Sequence, residues 1–439
     1  MDRIKLYKLF LTILIFGILI KVSWSRYINY DSSLESVPKK RKSDINENEH
    51  GNKKENDINN VNENIKIDFG QEEIKIENNN NDEDNISIPV KYWSETQKKV
   101  LQEEMEDRVE ISSFINDFTK FYDQLDEQEK TIYQAVYDVS KKDIPEFIVN
   151  MKISSELAYE DFKAYIIPKL IKVFTVIIYD HPELWWVGTF SYGIPSWSIS
   201  NSTKTYNVKI YTNPINTTYG DYTGERIVNL NKRIEKVKNK IMKNISDLGL
   251  TEKYSILRYI HDYLITRNVY TLVESRRHIR DIYGILVEEK SVCESYAEAF
   301  QYIAQQYGID CIIARSSTHE WNFVKMGEDD GKWYVVDVTW DDPSISGKED
   351  EPSGSNSNLS TNYFLTGTEN VSYGKSYSQE TDHVLIFSAY GSDKDYVNYP
   401  NIETTNYVPS EKELAEVNVT EFNKTFVSND VSSNKSKFI

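Results

Sequence analysis

Cysteine is scarce in this 439-residue sequence, which contains only Cys293 and Cys311. These two fall on different predicted elements, a helix start and a buried strand, so we expect no disulfide framework. Basic residues are outnumbered by acidic ones, and the formal net charge of −18 argues against nucleic acid or an anionic membrane surface as a partner. No group of His, Cys and carboxylate residues has zinc-ligand spacing, and no calcium-binding loop is visible. We therefore predict no metal and no other cofactor.

The apolar run at the N-terminus, Leu9–Ile20, is short for a membrane span, which needs about 20 residues. Basic residues precede it and Ser23 and Ser25 follow it, as in a secretory signal peptide. We therefore predict that residues 1–25 are a signal peptide and that the protein is secreted; retention of this segment as a membrane anchor is the alternative. N-x-S/T sequons such as that of Asn201 support secretion only weakly, because the chain is rich in asparagine.

Composition divides the rest of the chain into four parts. Residues 26–90 are polar and rich in Asn, Glu and Lys, and they bury too little apolar surface to offset the entropy of ordering, so we predict a disordered spacer. Apolar periodicity predicts an accessory helical region at 91–220 and a core at 221–400, followed by a polar tail at 401–439. Helices are expected at 94–120, 125–140, 159–179 (starting late or kinked at Pro168), 224–243 and from a cap at Thr251, with strands at 206–210, 309–314, 362–365 and 383–387.

Cys293 opens a stretch with the spacing of an amphipathic helix. Apolar residues recur at Tyr296, Phe300 and Ile303, and Gly308 ends the pattern. The first turn of a helix presents backbone N–H groups without intrahelical acceptors and the positive end of the macrodipole, which favour a thiolate. Because a lone cysteine is more often a small buried hydrophobe, this position alone does not establish a nucleophile.

A predicted hairpin follows this helix. Residues alternate from His319 to Met326, a loop rich in Gly and Asp comes next, and a return strand begins at Lys332. A register that opposes Met326 and Lys332 makes Asp337 a diagonal neighbour of His319, and a register shifted by two places them directly opposite. Both registers bring the imidazole and the carboxylate onto one sheet face, within roughly 5–8 Å. This is the nucleophile–base–orienter order of acyl-transfer catalysis.

These residues resemble the transglutaminase-like core of the papain-related superfamily, which includes transglutaminases and microbial cysteine peptidases. The matching motifs are Cys293-x-x-Tyr296-Ala297, His319-x-Trp321-Asn322 and the run from Trp333 through Asp337 to Pro343, with similar segments at 260–264 and 283–287. The resemblance implies an α+β fold in which a cysteine at a helix N-terminus packs on an antiparallel sheet that carries the histidine and the aspartate. It also implies that Cys293, His319 and Asp337 form a catalytic triad. The departures from the pattern are Ser291 and Ser295, where relatives often have glycine, and Glu320, where a small residue is common.

The resemblance further implies cysteine-dependent acyl transfer on an amide of a protein or peptide. Cys293 is expected to attack the carbonyl, His319 to accept and return the proton, and Asp337 to orient the imidazole. The Cys293 N–H and a second donor, Tyr283 or Trp321, are the candidates for the oxyanion hole. The sequence does not decide between water and an amine as the resolving nucleophile, that is between a peptidase and a transglutaminase. The alternative is a non-catalytic interaction module of cell-wall or cytokinesis-type assemblies, with an unreactive thiol.

Two other histidines are expected to have structural roles. His181 is expected in a helix-ending turn, because Pro182 cannot continue the helix. His261 lies on the apolar stripe of its helix with Leu257 and Leu264. We therefore expect it to be a hydrogen-bonded core histidine.

Overall fold

The computed structural model of the chain describes residues 75–78, 86–88, 114–115, 118, 120–200, 203–215, 217–273, 275–327, 331–342, 360–372, 375–377, 381–390 and 396–417. All of them belong to one unit, Phe69–Ile439. The predicted signal peptide and most of the predicted spacer lie outside the described residues, and the domain boundaries stay predictions.

Six α-helices occur in the described part of the chain. They are α1 (Glu127–Ser140), α2 (Tyr159–Asp180), α3 (Gly224–Asp247), α4 (Lys253–Arg267), α5 (Cys293–Gln305) and α6 (Glu411–Val417). The helices expected at 125–140 and 224–243 are thus confirmed, and α2 runs through Pro168 rather than starting late. Phe162 and Ile166 are completely buried before Pro168, and this burial holds the first turns of α2 in the helix despite the proline. The helix expected at 94–120 lies mostly outside the described residues.

The strands form small sheets. They are β1 (Lys75–Asn78), β2 (Ile86–Ile88), β3 (Phe114–Ile115), β4 (Ile148–Ser155), β5 (Phe190–Ser200), β6 (Thr203–Tyr211), β7 (Val269–Tyr270), β8 (Lys290–Ser291), β9 (Cys311–Arg315), β10 (Glu320–Met326), β11 (Lys332–Val336), β12 (Phe364–Thr366), β13 (Val371–Ser372), β14 (Lys375–Ser376) and β15 (Tyr399–Pro400). With the helices, they give a mixed α and β architecture that is compatible with the expected α+β class.

One antiparallel sheet has the order β1-β5-β6-β4, and β2 also pairs with β5. The region expected to be helical with one strand therefore also contains a sheet. The pairing of β5 with β6 shifts between Gly193 and Ser196. This irregularity interrupts the alternation along β5, which is why the apolar pattern of the sequence did not reveal the strand.

The second sheet, order β12-β11-β10-β9, is antiparallel and carries the predicted hairpin. Met326 lies opposite Lys332, which confirms the first of the two predicted registers. Helix α5 is joined to this sheet by Asn322, whose side-chain Nδ2 donates to the backbone oxygen of Ala297 at 3.0 Å. The expected helix from Cys293 and the buried strand that follows it are both present.

The start of α4 differs from the sequence expectation. The residue before its first turn is Glu252 rather than Thr251, and its side chain makes no capping hydrogen bond. The carboxylate of Glu416 supplies the cap instead, accepting from the backbone N–H groups of Thr251 at 3.0 Å and Glu252 at 3.1 Å. Glu416 belongs to α6, so the first part of the predicted polar tail packs against the core.

The closing strands are only partly as expected. Strand β12 is present, but His383 ends a 3₁₀ turn, Thr381–His383, and the strand predicted at 383–387 is wrong. Hydrogen bonds from Thr318 to Asp382 and between His383 and Asp337 hold this segment as a turn. No helix within the described ranges combines the length and the apolar character that crossing a membrane requires.

Candidate active site

Cys293 is the first residue of α5, as the sequence predicts. Val292 precedes it in extended conformation and donates its backbone N–H to the oxygen of Ile279 at 3.0 Å. The side chain of Ser295 donates to the same oxygen at 3.0 Å. The side chain of Ser295 therefore ties the first turn of the helix, and with it the thiol, to the segment around Ile279.

His319 and Asp337 lie just outside the paired ends of β10 and β11. The backbone N–H of His319 donates to Ser316 Oγ at 2.9 Å, and that of Asp337 donates to the oxygen of Tyr363 at 2.9 Å. These bonds place the two side chains so that His319 Nε2 donates to Asp337 Oδ2 at 2.6 Å. The predicted imidazole–carboxylate contact is therefore present.

The Cys293 thiol completes the set, since it interacts with the His319 ring and contributes to the raised pKa of that imidazole. Burial alone would lower the pKa of His319, but Asp337 and Cys293 together hold that pKa well above its ordinary value. Burial would raise the pKa of Asp337, and His319 and His383 outweigh it, so the carboxyl pKa lies well below its ordinary value. Asp337 is consequently an anion that stabilises a charged His319.

The three side chains are enclosed. Cys293 is 1% exposed, Asp337 is 0% exposed and His319 is 8% exposed. The thiol also donates to Glu294 Oε2 at 3.2 Å, and Glu294 is paired with the buried Arg280. A carboxylate beside the sulfur opposes ionisation of the thiol, so Glu294 and His319 act on Cys293 in opposite directions.

The two oxyanion candidates lie in different surroundings. Trp321 stacks on His319, with ring centroids 5.7 Å apart, and its indole Nε1 is buried without a hydrogen-bond partner among the described residues. Tyr283 instead packs on His278, with centroids 4.6 Å apart, and its hydroxyl accepts from Arg233. The structure thus brings Trp321 to the triad and engages the hydroxyl of Tyr283 elsewhere.

His383 belongs to the site and was not expected there. Its Nε2 donates to Asp337 Oδ2 at 3.0 Å, the oxygen that also accepts from His319. The backbone N–H of Trp340 donates to the other carboxylate oxygen at 3.1 Å. The sequence signal for His383 was slight, namely a histidine next to an acidic residue in a segment that resembled a strand.

Three neighbouring side chains of the site are of types that can bind a metal ion. In the described ranges, His319, Asp337 and His383 offer ligand atoms within 4.8 Å of one another. Their actual separations, 2.6 and 3.0 Å, are those of hydrogen bonds. His383 Nδ1 is buried without a partner in the described structure, whereas a metal-bound histidine almost always donates its second N–H to an acceptor. The group fits a hydrogen-bonded triad better, and the absence of a metal stays a prediction.

The two histidines with expected structural roles follow those expectations. His261 is fully buried; Nδ1 contacts Asp262 Oδ1 at 2.8 Å and Nε2 contacts Asp341 Oδ2 at 3.2 Å. His181 directly follows the end of α2 and contacts Glu183 at 3.0 Å. Neither contacts the triad through these bonds.

No family model and no curated protein matches the sequence. Among solved structures, the chain is similar to menin, in a crystal structure that reveals the binding site for Mixed Lineage Leukemia (MLL) protein, with 21% identity, a TM-score of 0.21 and coverage of 30% of this chain and 28% of that chain. It is also similar to a structure described as a TGase, with 13% identity, a TM-score of 0.23 and coverage of 50% of this chain and 60% of that chain. The chain thus spans less than two thirds of either structure, and TM-scores this low do not establish a shared fold.

Proposed function

We propose that this protein is a cysteine-dependent acyltransferase or peptidase that acts on amide bonds, built on a transglutaminase-like core. The observation that carries the proposal is that the Cys293 thiol, at a helix N-terminus, interacts with the His319 ring, which is itself hydrogen-bonded to Asp337. The start of helix α5 positions Cys293, and the ends of the β10–β11 hairpin position His319 and Asp337. The sequence motifs around all three residues support it independently.

In the proposed reaction, His319 donates from Nε2 to Asp337, which leaves Nδ1 to take the thiol proton. The Cys293 thiolate attacks the carbonyl carbon, and the carbonyl oxygen becomes an oxyanion. His319 Nδ1–H then protonates the leaving amine as the C–N bond breaks, giving a thioester. Water or a second amine, deprotonated by His319, resolves the thioester and restores the thiol.

The oxyanion is assigned to two donors in this proposal. One is the backbone N–H of Cys293, which lies in the first turn of α5, where N–H groups have no intrahelical acceptor. The other is Trp321 Nε1, a buried indole N–H that lies next to His319 and lacks a partner in the described structure. Donors preorganised in this way act where charge develops, in a site that excludes water.

The first test is the rate of alkylation of Cys293 by iodoacetamide as a function of pH, read by mass spectrometry. An activated thiol is expected to react near pH 6, whereas an ordinary thiol reacts mainly above about pH 8.5. His319→Ala is expected to slow alkylation at pH 6 at least about tenfold, because the thiolate loses its imidazolium partner.

Cys311 serves as the internal control in the same spectra. It is buried in β9, and burial raises the pKa of its thiol well above the ordinary value, so it is expected to stay unlabelled in both proteins. A Cys293 rate that rises only in alkaline solution and is unchanged by His319→Ala would refute the enzyme proposal.

The second candidate is a non-catalytic interaction module. The near-complete burial of Cys293 and its bond to Glu294 favour it, because both oppose a reactive thiolate. The alkylation experiment separates the two candidates. An activated thiol should then be followed with glutaminyl and peptide substrates, and an ordinary thiol with a search for binding partners.

A further inference from the structure

We propose that His383 is a positioning residue that fixes the carboxylate of Asp337 for His319. The proposal rests on the role assigned to the triad, and it concerns a residue that the motifs of the sequence do not include. Asp337 Oδ2 accepts from both histidines, at 2.6 Å from His319 and at 3.0 Å from His383, while Oδ1 accepts from the backbone of Trp340. Three donors on one carboxylate fix its rotation, which is otherwise soft.

Asp337 Oδ2, the oxygen that both histidines share, determines which ring nitrogens carry hydrogen. An ionised carboxylate only accepts hydrogen bonds, so both ring Nε2 atoms must carry hydrogen. His319 is therefore left with Nδ1 as its basic nitrogen. His383 is held as the neutral Nε2–H form, because a proton on its buried Nδ1 would have no acceptor in the described structure. Burial lowers the pKa of His383, and the charge of His319 acts in the same direction.

The surroundings of His383 fix its ring in place. Trp340, Tyr377 and Trp321 pack around it, with ring centroids 4.6, 4.6 and 4.8 Å away. The neighbouring Asp382 accepts from Thr318 Oγ1 at 2.7 Å, which links the turn of His383 to the turn that carries His319. The donor is thus rigid, and its position relative to His319 is set by packing rather than by Asp337 alone.

Two effects of removing this donor oppose each other. Loss of a neutral donor makes Asp337 a slightly stronger acceptor, but it also frees the carboxylate to turn away from His319. The bond between His319 and Asp337 is charge-assisted when the imidazole is protonated, and such bonds are roughly twice as strong as neutral ones. We therefore expect the loss of orientation to dominate.

The experiment compares His383→Gln, which retains a donor near the Nε2 position, with His383→Leu, which does not. The primary measurement is the ring Nε2–H resonance of His319 in protein labelled with ¹⁵N-histidine. It is expected to stay protected from water exchange in wild type and in His383→Gln, and to broaden or disappear in His383→Leu. His181→Leu, which removes a histidine bonded to Tyr133 and Glu183, is the control for general loosening and should leave the signal unchanged.

The second measurement is the alkylation rate of Cys293 at pH 6. His383→Leu is expected to reduce it about tenfold, the effect of losing one hydrogen bond to a charged group, and His383→Gln is expected to reduce it much less. In an Asp337→Asn background, His383→Leu should have no further effect, because His383 acts through Asp337. Additive effects, or equal losses in the Gln and Leu variants, would overturn the proposal.

The two readouts keep this inference separate from the proposed function. A protected His319 signal that depends on His383, in a protein whose thiol reacts slowly, would support the positioning role and reject the enzyme. A reactive thiol with a His319 signal unaffected by His383→Leu would support the enzyme and reject the positioning role.

Discussion

Glu294 is the side chain that most directly opposes the proposed nucleophile. Its carboxylate accepts the thiol hydrogen of Cys293 at 3.2 Å and is paired with Arg280, and both partners of that pair are buried. A negative charge this close disfavours a thiolate, whereas the helix N-terminus and His319 favour it. The reactivity of Cys293 is thus a balance between groups that all lie within one helical turn or one hydrogen bond of the sulfur.

Glu294→Gln is expected to accelerate alkylation of Cys293 at pH 6 by about three- to tenfold. The substitution removes the like charge and leaves Arg280 facing the developing thiolate. The rate is measured with iodoacetamide, and thermal unfolding checks that the variant remains folded. Glu146→Gln, which breaks the exposed pair with Lys142, is the matched control and should leave the rate unchanged. An unaltered rate in Glu294→Gln would mean that Glu294 carries no charge beside the thiol.

The positions of single site residues could be predicted from the sequence where a local pattern assigned them to an element and a face. The helix start locates Cys293, and the alternation of a pleated strand puts His319 and Asp337 on one face. His383 was not predictable in this way. It reaches Asp337 across 46 positions of sequence, from a turn whose Val384–Phe387 continuation is apolar enough to resemble a strand.

At the scale of elements, a short π-helical turn, Gly284–Glu288, packs against the segment that holds the start of α5. A Cβ atom at Gly284 would lie 1.7 Å from the backbone oxygen of His278. That backbone leads directly to Ile279, whose oxygen accepts from both Val292 and Ser295 at the start of α5. Displacement at Gly284 is therefore transmitted to the residues that hold Cys293.

Gly284→Ala is expected to destabilise the protein by about 3 kcal/mol, the upper end of what overpacking usually costs. The free energy of unfolding is measured by urea denaturation, and the alkylation rate of Cys293 is measured alongside it and should change. Gly249→Ala is the control, because Gly249 has φ of +67° and nothing within 4 Å of an added Cβ. Its cost is the backbone strain alone, about 1–2 kcal/mol, with no change at the thiol. Equal effects of the two substitutions on alkylation would contradict this account.

Elements with a regular local pattern, such as α5 and the hairpin of β10 and β11, could be predicted from the sequence because one face of each is buried. Two others could not. Strand β5 contains an irregularity that breaks its alternation, and α4 is capped by Glu416, which is 164 residues away from Glu252 in sequence. Interactions between distant segments leave no periodic signal in either segment.

At the scale of the whole molecule, buried carboxyl groups behind the triad link its stability to pH. Glu294, Glu298 and Glu320 are buried together with Arg280 and Arg315, so acidic groups outnumber basic ones in this cluster. Burial raises the pKa of Glu320 to about 8 and the pKa of Glu298 well above its ordinary value. The cluster therefore holds at least one proton that the unfolded chain would release at neutral pH.

We expect the free energy of unfolding to fall as the pH rises from 5 to 8. An acid whose pKa is raised by folding binds its proton more tightly in the folded state and so stabilises it. This contribution to the free energy of unfolding is fully present below about pH 4.3 and is lost as the pH rises through the folded-state pKa. His319, whose pKa is also raised by folding, contributes below about pH 6.5 and loses that contribution as its folded pKa is approached, which has the same sign. Asp337 acts in the opposite direction, but only below about pH 4. His383, whose pKa is lowered by burial, also acts in the opposite direction below about pH 6.5, but it is outnumbered by the groups whose pKa is raised.

This dependence is measured by urea denaturation at a series of pH values. In Glu298→Gln, the fall in the free energy of unfolding between pH 5 and 8 should be smaller by at least about 1 kcal/mol, because one pKa unit corresponds to about that energy. Glu146→Gln, at a solvent-exposed carboxylate paired with Lys142, is the matched control and should leave the slope unchanged. A stability that is constant or rises over this range would show that the cluster is fully ionised in the folded protein. Glu294 would then carry its full charge beside Cys293, and the acceleration expected for Glu294→Gln should be observed in full.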